Sequence, residues 1–105
     1  MTHAEVKEMV ESIGLESAYH HFAEGESPDP PFLVFLYPNA DNFAADGIVY
    51  FSVNVLHIEL YTDKKDPDLE EQVETVLTEY GIYYNKSEVW IESERLYEVL
   101  YEMEV

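Results

Sequence analysis

The chain has 105 residues, enough for one domain and too few for two. Its 23 acidic and 5 basic residues give a formal net charge of −18, which argues against direct binding of nucleic acid through its phosphates. The absence of cysteine excludes a disulfide scaffold and thiolate chemistry, while a hydrophobic content of 47% argues against disorder.

The first predicted element is a helix over about residues 3–13. Thr2 and Glu5 fit the T-x-x-E capping box, in which each end satisfies a free backbone amide of the other. Gly14 supplies the stop. The apolar stripe at helical spacing is Val6, Met9, Val10 and Ile13.

Two histidines in the stretch YHHF at 19–22 precede a loop over residues 23–31 that is rich in proline and glycine. Residues 31–37 are nearly all apolar, which predicts a strand buried on both faces. Residues 38–47 form a turn-rich connection that is too long for a tight hairpin, and Phe43 is its candidate anchor.

A long strand over residues 48–61 is the predicted centre of the fold. Its apolar residues lie on one face up to Val55 and on the other from Leu56 onward. A strand changes its buried face only through a bulge, a sharp twist or burial of both faces. We therefore expect a bent strand with two packing surfaces, the second of which has little to pack on in a monomer.

A helix over residues 66–80 follows, with Asp66 as N-cap, Pro67 at its first position and Gly81 as its stop. Its apolar stripe is Leu69, Val73, Val76, Leu77 and Tyr80.

The last two strands are predicted over residues 82–91 and 97–105, joined by a polar turn, and the final strand has an acidic outer face. The predicted fold is a single α+β domain over residues 1–105, with a mostly antiparallel sheet of about four strands. Two helices pack on one face of this sheet, in the order α-β-β-α-β-β.

No residue pattern singles out a catalytic, cofactor or metal site. Adjacent His20 and His21 make a poor chelate, because their side chains diverge in a strand and in a helix. His57 and Glu59 share one strand face, which fits an acid–base pair or half a metal site, but equally a solvated or inter-subunit contact. We therefore predict a protein that is not an enzyme and that carries no cofactor and no metal.

The N-terminal residues contain no basic region followed by an apolar stretch, so we expect no signal peptide. The longest apolar run is far below the ~18 residues of a membrane span, so we expect no membrane partner. Nine tyrosines, several of them on predicted strands, suit either an interface or ordinary half-buried sheet positions.

The chain resembles a family of small prophage and siphophage structural proteins, the tail terminator, tail completion, minor tail and head–tail joining components. The resemblance spans nearly the whole chain. It lies in the stretches YHHF at 19–22, PPFLV at 30–34, DG at 46–47, ELYTDKKD at 59–66 with Glu70 and Glu74 in the following helix, and IESERLYEVLYE at 91–102.

This resemblance implies a small α+β subunit of a homo-oligomeric, hexameric ring that caps the tail tube and contacts the head connector. It implies location in the virion, and in the host cytoplasm during assembly. DNA would pass through the ring without specific binding, since an acidic wall repels phosphate. We expect subunit contacts at Phe43 and its loop, at Tyr61, and on the second face of the central strand at Leu56, Ile58 and Leu60. Replacing Ile58 or Leu60 with Glu should then give soluble monomers.

Two other functions remain open. An acidic module that mimics DNA, such as an anti-restriction or nuclease-inhibitor protein, shares the net charge and would bind a basic enzyme tightly as a monomer or dimer. A small hydrolase that uses carboxylates or His57 would show a cation-dependent activity that is lost in His57→Ala.

Overall fold

Two helices and five strands make up the part of the chain that the computed structural model describes, residues 1–38 and 54–105. The strands form one mixed sheet in the order β1-β2-β3-β5-β4. In chain order the elements are α1 (His3–Ser12), β1 (Ser17–Tyr19), β2 (Phe32–Leu36), β3 (Val55–Thr62), α2 (Pro67–Glu79), β4 (Tyr84–Ile91) and β5 (Leu96–Glu104).

Helix α1 begins with the predicted capping box. The Thr2 hydroxyl accepts a hydrogen bond from the Glu5 amide at 3.1 Å, and the Glu5 carboxylate accepts one from the Thr2 amide at 2.8 Å. Both donors would otherwise be unpaired at the helix N-terminus. Gly14 follows the helix with φ +94°, a conformation that L side chains rarely adopt, so the predicted stop is confirmed.

Helix α2 also has the predicted ends. The Asp66 carboxylate accepts a hydrogen bond from the Leu69 amide at 3.1 Å, and Pro67 occupies the first turn. At the other end, Tyr80 is the C-cap and Gly81 has φ +71°.

The sheet has one more strand than the sequence predicted. Strands β2, β3, β5 and β4 pair in antiparallel fashion, while β1 pairs in parallel with β2, Ser17 opposite Leu33. The α+β class is confirmed, but the order is α-β-β-β-α-β-β. A three-residue strand is too short to show an alternation of period two, so only its neighbour β2 reveals it.

One face of the sheet carries the core. Helices α1 and α2 cover this face, and they also contact each other through a hydrogen bond from the Gln72 side-chain amide to the Ile13 carbonyl at 2.5 Å. The core residues are Val6, Met9, Val10, Ile13, Leu33, Phe35, Leu56, Ile58, Leu60, Val73, Leu77, Val99, Tyr101 and Met103.

The predicted subunit contacts at Leu56, Ile58 and Leu60 require correction. All three side chains are 0% exposed and lie in the core beneath the helices, so they are not available to a partner chain in this fold. The prediction assumed that the helices would cover the other face of the central strand. The predictions for Phe43, for residues 39–47 and for the first part of that strand lie outside the described residues.

An ionic cluster joins helix α2 to strand β4. The buried Glu70 carboxylate accepts hydrogen bonds from Lys65 and Lys86, each at 2.7 Å, and Lys86 also contacts Glu74 at 2.8 Å. The Tyr101 hydroxyl donates to Glu74 at 2.8 Å, and Lys65 contacts the strand residue Glu88 at 2.5 Å. The cluster therefore connects the helix to both β4 and β5.

The lysines keep the acids of this cluster ionised. Burial by itself raises the pKa of Glu70, but the hydrogen bonds from Lys65 and Lys86 outweigh it and hold the pKa below its usual value. The pKa of Glu74 is likewise lowered overall, because the bonds from Lys86 and Tyr101 outweigh its burial. Carboxylates with lowered pKa values stabilise the fold above their unfolded pKa, and this contribution is lost as the pH falls through the lowered values.

We predict that Leu60→Ala destabilises the protein by about 2–5 kcal/mol, because it leaves a cavity in the core. The matched control is Leu100→Ala on β5, the same change on the opposite face of the sheet. There the half-buried side chain contributes about 1 kcal/mol. Denaturant unfolding followed by circular dichroism measures both. Equal losses would contradict the placement of the core.

We predict that Lys86→Met destabilises the protein by about 1–3 kcal/mol at neutral pH, because Glu70 stays buried with one of its two lysines gone. The loss should shrink as the pH falls below the usual value of 4.5 and through the lowered pKa values at which Glu70 and Glu74 become protonated in the fold. Lys7→Met removes only the exposed 3.9 Å pair with Glu11 and should have no measurable effect at any pH. A pH-independent loss in Lys86→Met would argue against the ionic origin.

Candidate functional site

The face of the sheet opposite the helices is the candidate functional site, and we call it the open face. Neither α1 nor α2 packs on it, since all the sheet residues of the shared core have side chains on the other face. Its residues are those that alternate with the core positions: Ala18, Phe32, Val34, Leu36, Val55, His57, Glu59, Tyr61, Asn85, Ser87, Val89, Ile91, Leu96, Glu98, Leu100, Glu102 and Glu104.

A groove of about 390 Å³ lies at the end of the open face near β1 and the β4–β5 turn. Aromatic rings form its apolar side: Phe22 meets Phe32 edge-on with ring centroids 5.3 Å apart, and Phe32 stacks on Tyr61 at 5.1 Å. The residues that line it are His20, His21, Phe22, Ser27, Phe32, Val34, Glu59, Tyr61, Ile91, Ser93, Glu94 and Leu96.

Two neighbouring carboxyl groups lie at and beside this groove: Glu59 lines it, and Glu98 lies next to it on β5. The Tyr61 hydroxyl donates to Glu59 at 2.6 Å, and Tyr61 is the register partner of Glu98 on β5. Burial, together with a hydrogen bond to the neighbouring Glu59, raises the pKa of Glu98 to about 7. Within residues 1–38 and 54–105, neither carboxyl group forms an ion pair with a lysine, arginine or histidine.

The same environment keeps Tyr61 neutral. Burial raises the pKa of Tyr61 well above its usual range, and the hydrogen bond to Glu59 and the charge of Glu98 raise it further. Tyr61 therefore acts at this site as a hydrogen-bond donor and as an apolar surface, and has no phenolate to offer as a base.

An acid–base pair of His57 with Glu59, one of the alternatives that the sequence left open, is not the pairing in the structure. The His57 ring nitrogen Nε2 lies 2.8 Å from the Glu102 carboxylate, which is its register partner on β5, while Glu59 bonds to Tyr61. His57 therefore makes a cross-strand contact within the subunit. The alternation of side chains along a strand correctly predicts that His57 and Glu59 share one face. The hydrogen-bond partner of His57, however, is a residue 45 positions later in the chain.

His20 and His21 lie at the groove with exposed side chains, and their Nδ1 atoms are 2.8 Å apart. A hydrogen bond at this distance requires one Nδ1 atom to donate and the other to accept. In the described part of the chain, no group of three His, Cys, Asp or Glu side chains converges in a way that could hold a metal ion.

Of the predicted contact residues, the structure places Tyr61 at the open face, half-buried. The groove is lined by Phe22 and Phe32, which the sequence did not single out as contact residues, and Glu98 lies beside it. Their proximity depends on strand pairing and on the path of the 20–31 loop, and neither has a local signal in the sequence. The high tyrosine content and the predicted acidic outer face of the last strand both pointed to the sheet surface.

Comparison of the chain with models of protein families, with curated proteins and with solved structures finds no match. Among the described residues, neither helix has the length and apolarity needed to cross a membrane.

We predict that Glu98→Gln stabilises the protein at pH 8 and leaves its stability nearly unchanged at pH 4. A folded-state pKa of about 7, above the usual 4.5, means that Glu98 costs stability increasingly as the pH rises from about 4.5 to about 7. Because the group is only partly buried, solvent screening reduces the gain to about 1 kcal/mol.

The control for Glu98→Gln is Glu104→Gln, which removes one exposed negative charge from the same strand and the same face. Thermal unfolding of both variants across this pH range separates the local effect from the general relief of a −18 charge. Identical pH profiles in the two variants would show that Glu98 and Glu59 do not interact.

Proposed function

We propose that the protein is a non-catalytic structural subunit of a phage or prophage virion, a tail terminator or a head–tail connector. In this role it forms a ring with copies of itself that caps the tail tube and lets DNA pass. The observation that carries the proposal is the open face, a sheet surface that combines aromatic side chains with carboxylates in a strongly acidic chain. The sequence resemblance supplies the virion context.

The open face suits contact with other subunits. Tyrosine and phenylalanine bring large contact areas with little loss of side-chain entropy, and both are frequent in the centres of protein interfaces. The half-buried ring of Tyr61, which stacks on the buried Phe32, offers part of such an area in the groove, and Val89 is 51% exposed on the same face. The contact surface proposed here therefore replaces the buried residues Leu56, Ile58 and Leu60 with Tyr61 and its neighbours.

The acidic surface suits the passage of DNA. Carboxylates that face a channel repel phosphates, so DNA slides past without adhering. The open face contributes Glu102 and Glu104, both exposed, at the end of β5. A ring would concentrate the negative charge of each subunit, and its assembly should therefore be favoured by salt, which screens the repulsion.

We predict that the protein forms rings of about six subunits, or binds to the tip of purified tail tubes, at moderate salt and not at low salt. Light scattering after size exclusion, negative-stain images and co-sedimentation with tail tubes measure this. A chain that stays monomeric at both salt concentrations and does not bind tail tubes would overturn the proposal.

Tyr61→Ala should weaken assembly or tube binding by at least about tenfold, because it removes a central aromatic side chain of the proposed contact. Tyr83→Ala, the same change at a side chain that is 84% exposed and lies outside the groove, should leave assembly unchanged. Circular dichroism establishes that both variants fold. Equal assembly of the two variants would remove the groove from the contact surface.

The second candidate is an acidic DNA mimic that binds a basic enzyme. The observation in its favour is the row of carboxylates Glu98, Glu102 and Glu104, which share the open face of one strand. A mimic would bind a basic nuclease tightly and compete with DNA for it, and increasing salt would weaken that binding. Salt thus acts in opposite directions in the two candidates, because ring assembly brings like charges together.

A further inference from the structure

Strand β4 is an edge strand with a regular, exposed surface. It pairs with β5 on one side, and no other described strand pairs with its outer side. The side chains from Asn85 to Trp90 are all exposed. In an antiparallel pair, the backbone groups of alternate residues point away from the partner strand, so β4 presents a row of donors and acceptors at its outer edge.

The sequence of β4 is complementary to itself in the antiparallel direction. When two copies are aligned with Ser87 opposite Ser87, each Lys86 lies opposite Glu88 of the other copy. In the same alignment each Tyr84 lies opposite Trp90 of the other copy. The opposed charges and the opposed aromatic rings all lie on the face that carries the helices, because Tyr84, Lys86, Glu88 and Trp90 pair with the inward-facing residues of β5.

The few cations of the chain lie near this edge. Lys86 is on β4, Lys65 bonds to Glu88 of β4, and Arg95 is in the turn that follows the strand. With Lys64 beside Lys65, these are four of the five basic residues in a chain with 23 acidic ones. Because β4 itself holds one lysine and one glutamate, two copies of this acidic protein meet at the β4 edge with less repulsion than at the carboxylates of the open face.

We infer that two copies of this chain associate through their β4 strands, antiparallel and centred on Ser87, so that the two five-stranded sheets become one continuous sheet. The alignment brings together opposite charges and aromatic pairs, and it satisfies the backbone groups of both edges. The inference stands on the edge strand alone and does not depend on the proposed virion role. The β4–β4 contact is isologous and closes a dimer, whereas a ring needs a heterologous contact at another surface.

The test uses the absence of natural cysteine in the chain. In Ser87→Cys, the two introduced thiols lie directly opposite each other, where antiparallel neighbours have Cα atoms about 4.5–5.5 Å apart. This distance lies within the range of disulfides. Under mild oxidation at moderate salt, the variant should therefore convert to a covalent dimer in the native state, and the natural chain should sediment as a dimer at high concentration.

Two further variants test the register. Asn85 lies opposite Val89 of the second copy, and both residues are exposed on the open face, as is Ser87. Asn85→Cys alone, or Val89→Cys alone, puts its two thiols about 13 Å apart along the strands, too far for a disulfide. A mixture of the two variants should cross-link to a mixed dimer, at a rate similar to that of Ser87→Cys and at least about tenfold faster than either alone.

The outcomes are distinct. Rapid cross-linking of Ser87→Cys and of the mixture, with slow cross-linking of the single variants at 85 and 89, supports the contact. Equal rates in all samples would indicate random collision and would overturn it. A natural chain that stays monomeric, or that forms rings in which Ser87→Cys does not cross-link, would also overturn it. Ring formation measured beside these rates reports on the virion role separately.

Discussion

The structure depends on one arrangement, in which both helices pack on the same face of the five-stranded sheet. Helices α1 and α2 take the face that carries Leu56, Ile58 and Leu60, and their stripes complete a core in which these side chains have no exposure. Every strand residue that alternates with a core position therefore lies on a face that the helices leave uncovered. The groove, the unpaired carboxyl groups and the exposed valine of β4 all follow from this division.

The distribution of cations follows the same division. Lys65 and Lys86 lie on the helix side, where they neutralise Glu70 and allow this carboxylate to be buried between α2 and β4. An unpaired buried charge would cost far more than an exposed one. On the open face, Glu59 contacts Glu98 and accepts a hydrogen bond from a tyrosine hydroxyl, and within the described residues neither carboxyl group pairs with a cation. The two clusters consequently oppose each other in pH dependence, since one loses its contribution in acid and the other becomes unfavourable as the pH rises toward 7.

The local features of the fold could be predicted from the sequence. The capping box at Thr2, the N-cap at Asp66 and the two glycine stops each depend on residues within one or two turns, and all four are confirmed. The alternation of apolar and acidic residues in β5 correctly predicted which face of the strand is buried and which is acidic. In the same way, the continuous apolar run of β2 correctly indicated a strand with little exposure on either face.

The features that failed are those that depend on distant residues. The sequence shows that Leu56, Ile58 and Leu60 share one face of β3, but it does not show which face the helices cover. Apolar side chains on one face of a strand fit a core and an interface equally well. The partner of His57 and the proximity of Glu59 to Glu98 both depend on the register of β3 with β5, and the chain between those strands contains a helix and another strand. Strand β1 was missed because three residues are stabilised by the backbone of β2 and not by a pattern of their own.

The open face and the β4 edge differ in charge, and this difference sets what each can contact. An edge that holds lysines beside Glu88 is nearly neutral and can meet an identical edge, whereas the carboxylates of the open face repel their own copies. A second copy bound at the edge would extend the sheet and leave the groove with Tyr61 free, because the edge contact uses backbone groups at the outer side of β4 and the groove lies near β1 and the β4–β5 turn. A contact at the open face must instead bring cations, apolar surface or screening salt to Glu59 and Glu98. The proposed edge contact thus joins two identical edges directly, whereas a contact of the open face, with another subunit or with a different protein, needs cations, apolar surface or salt at its carboxylates.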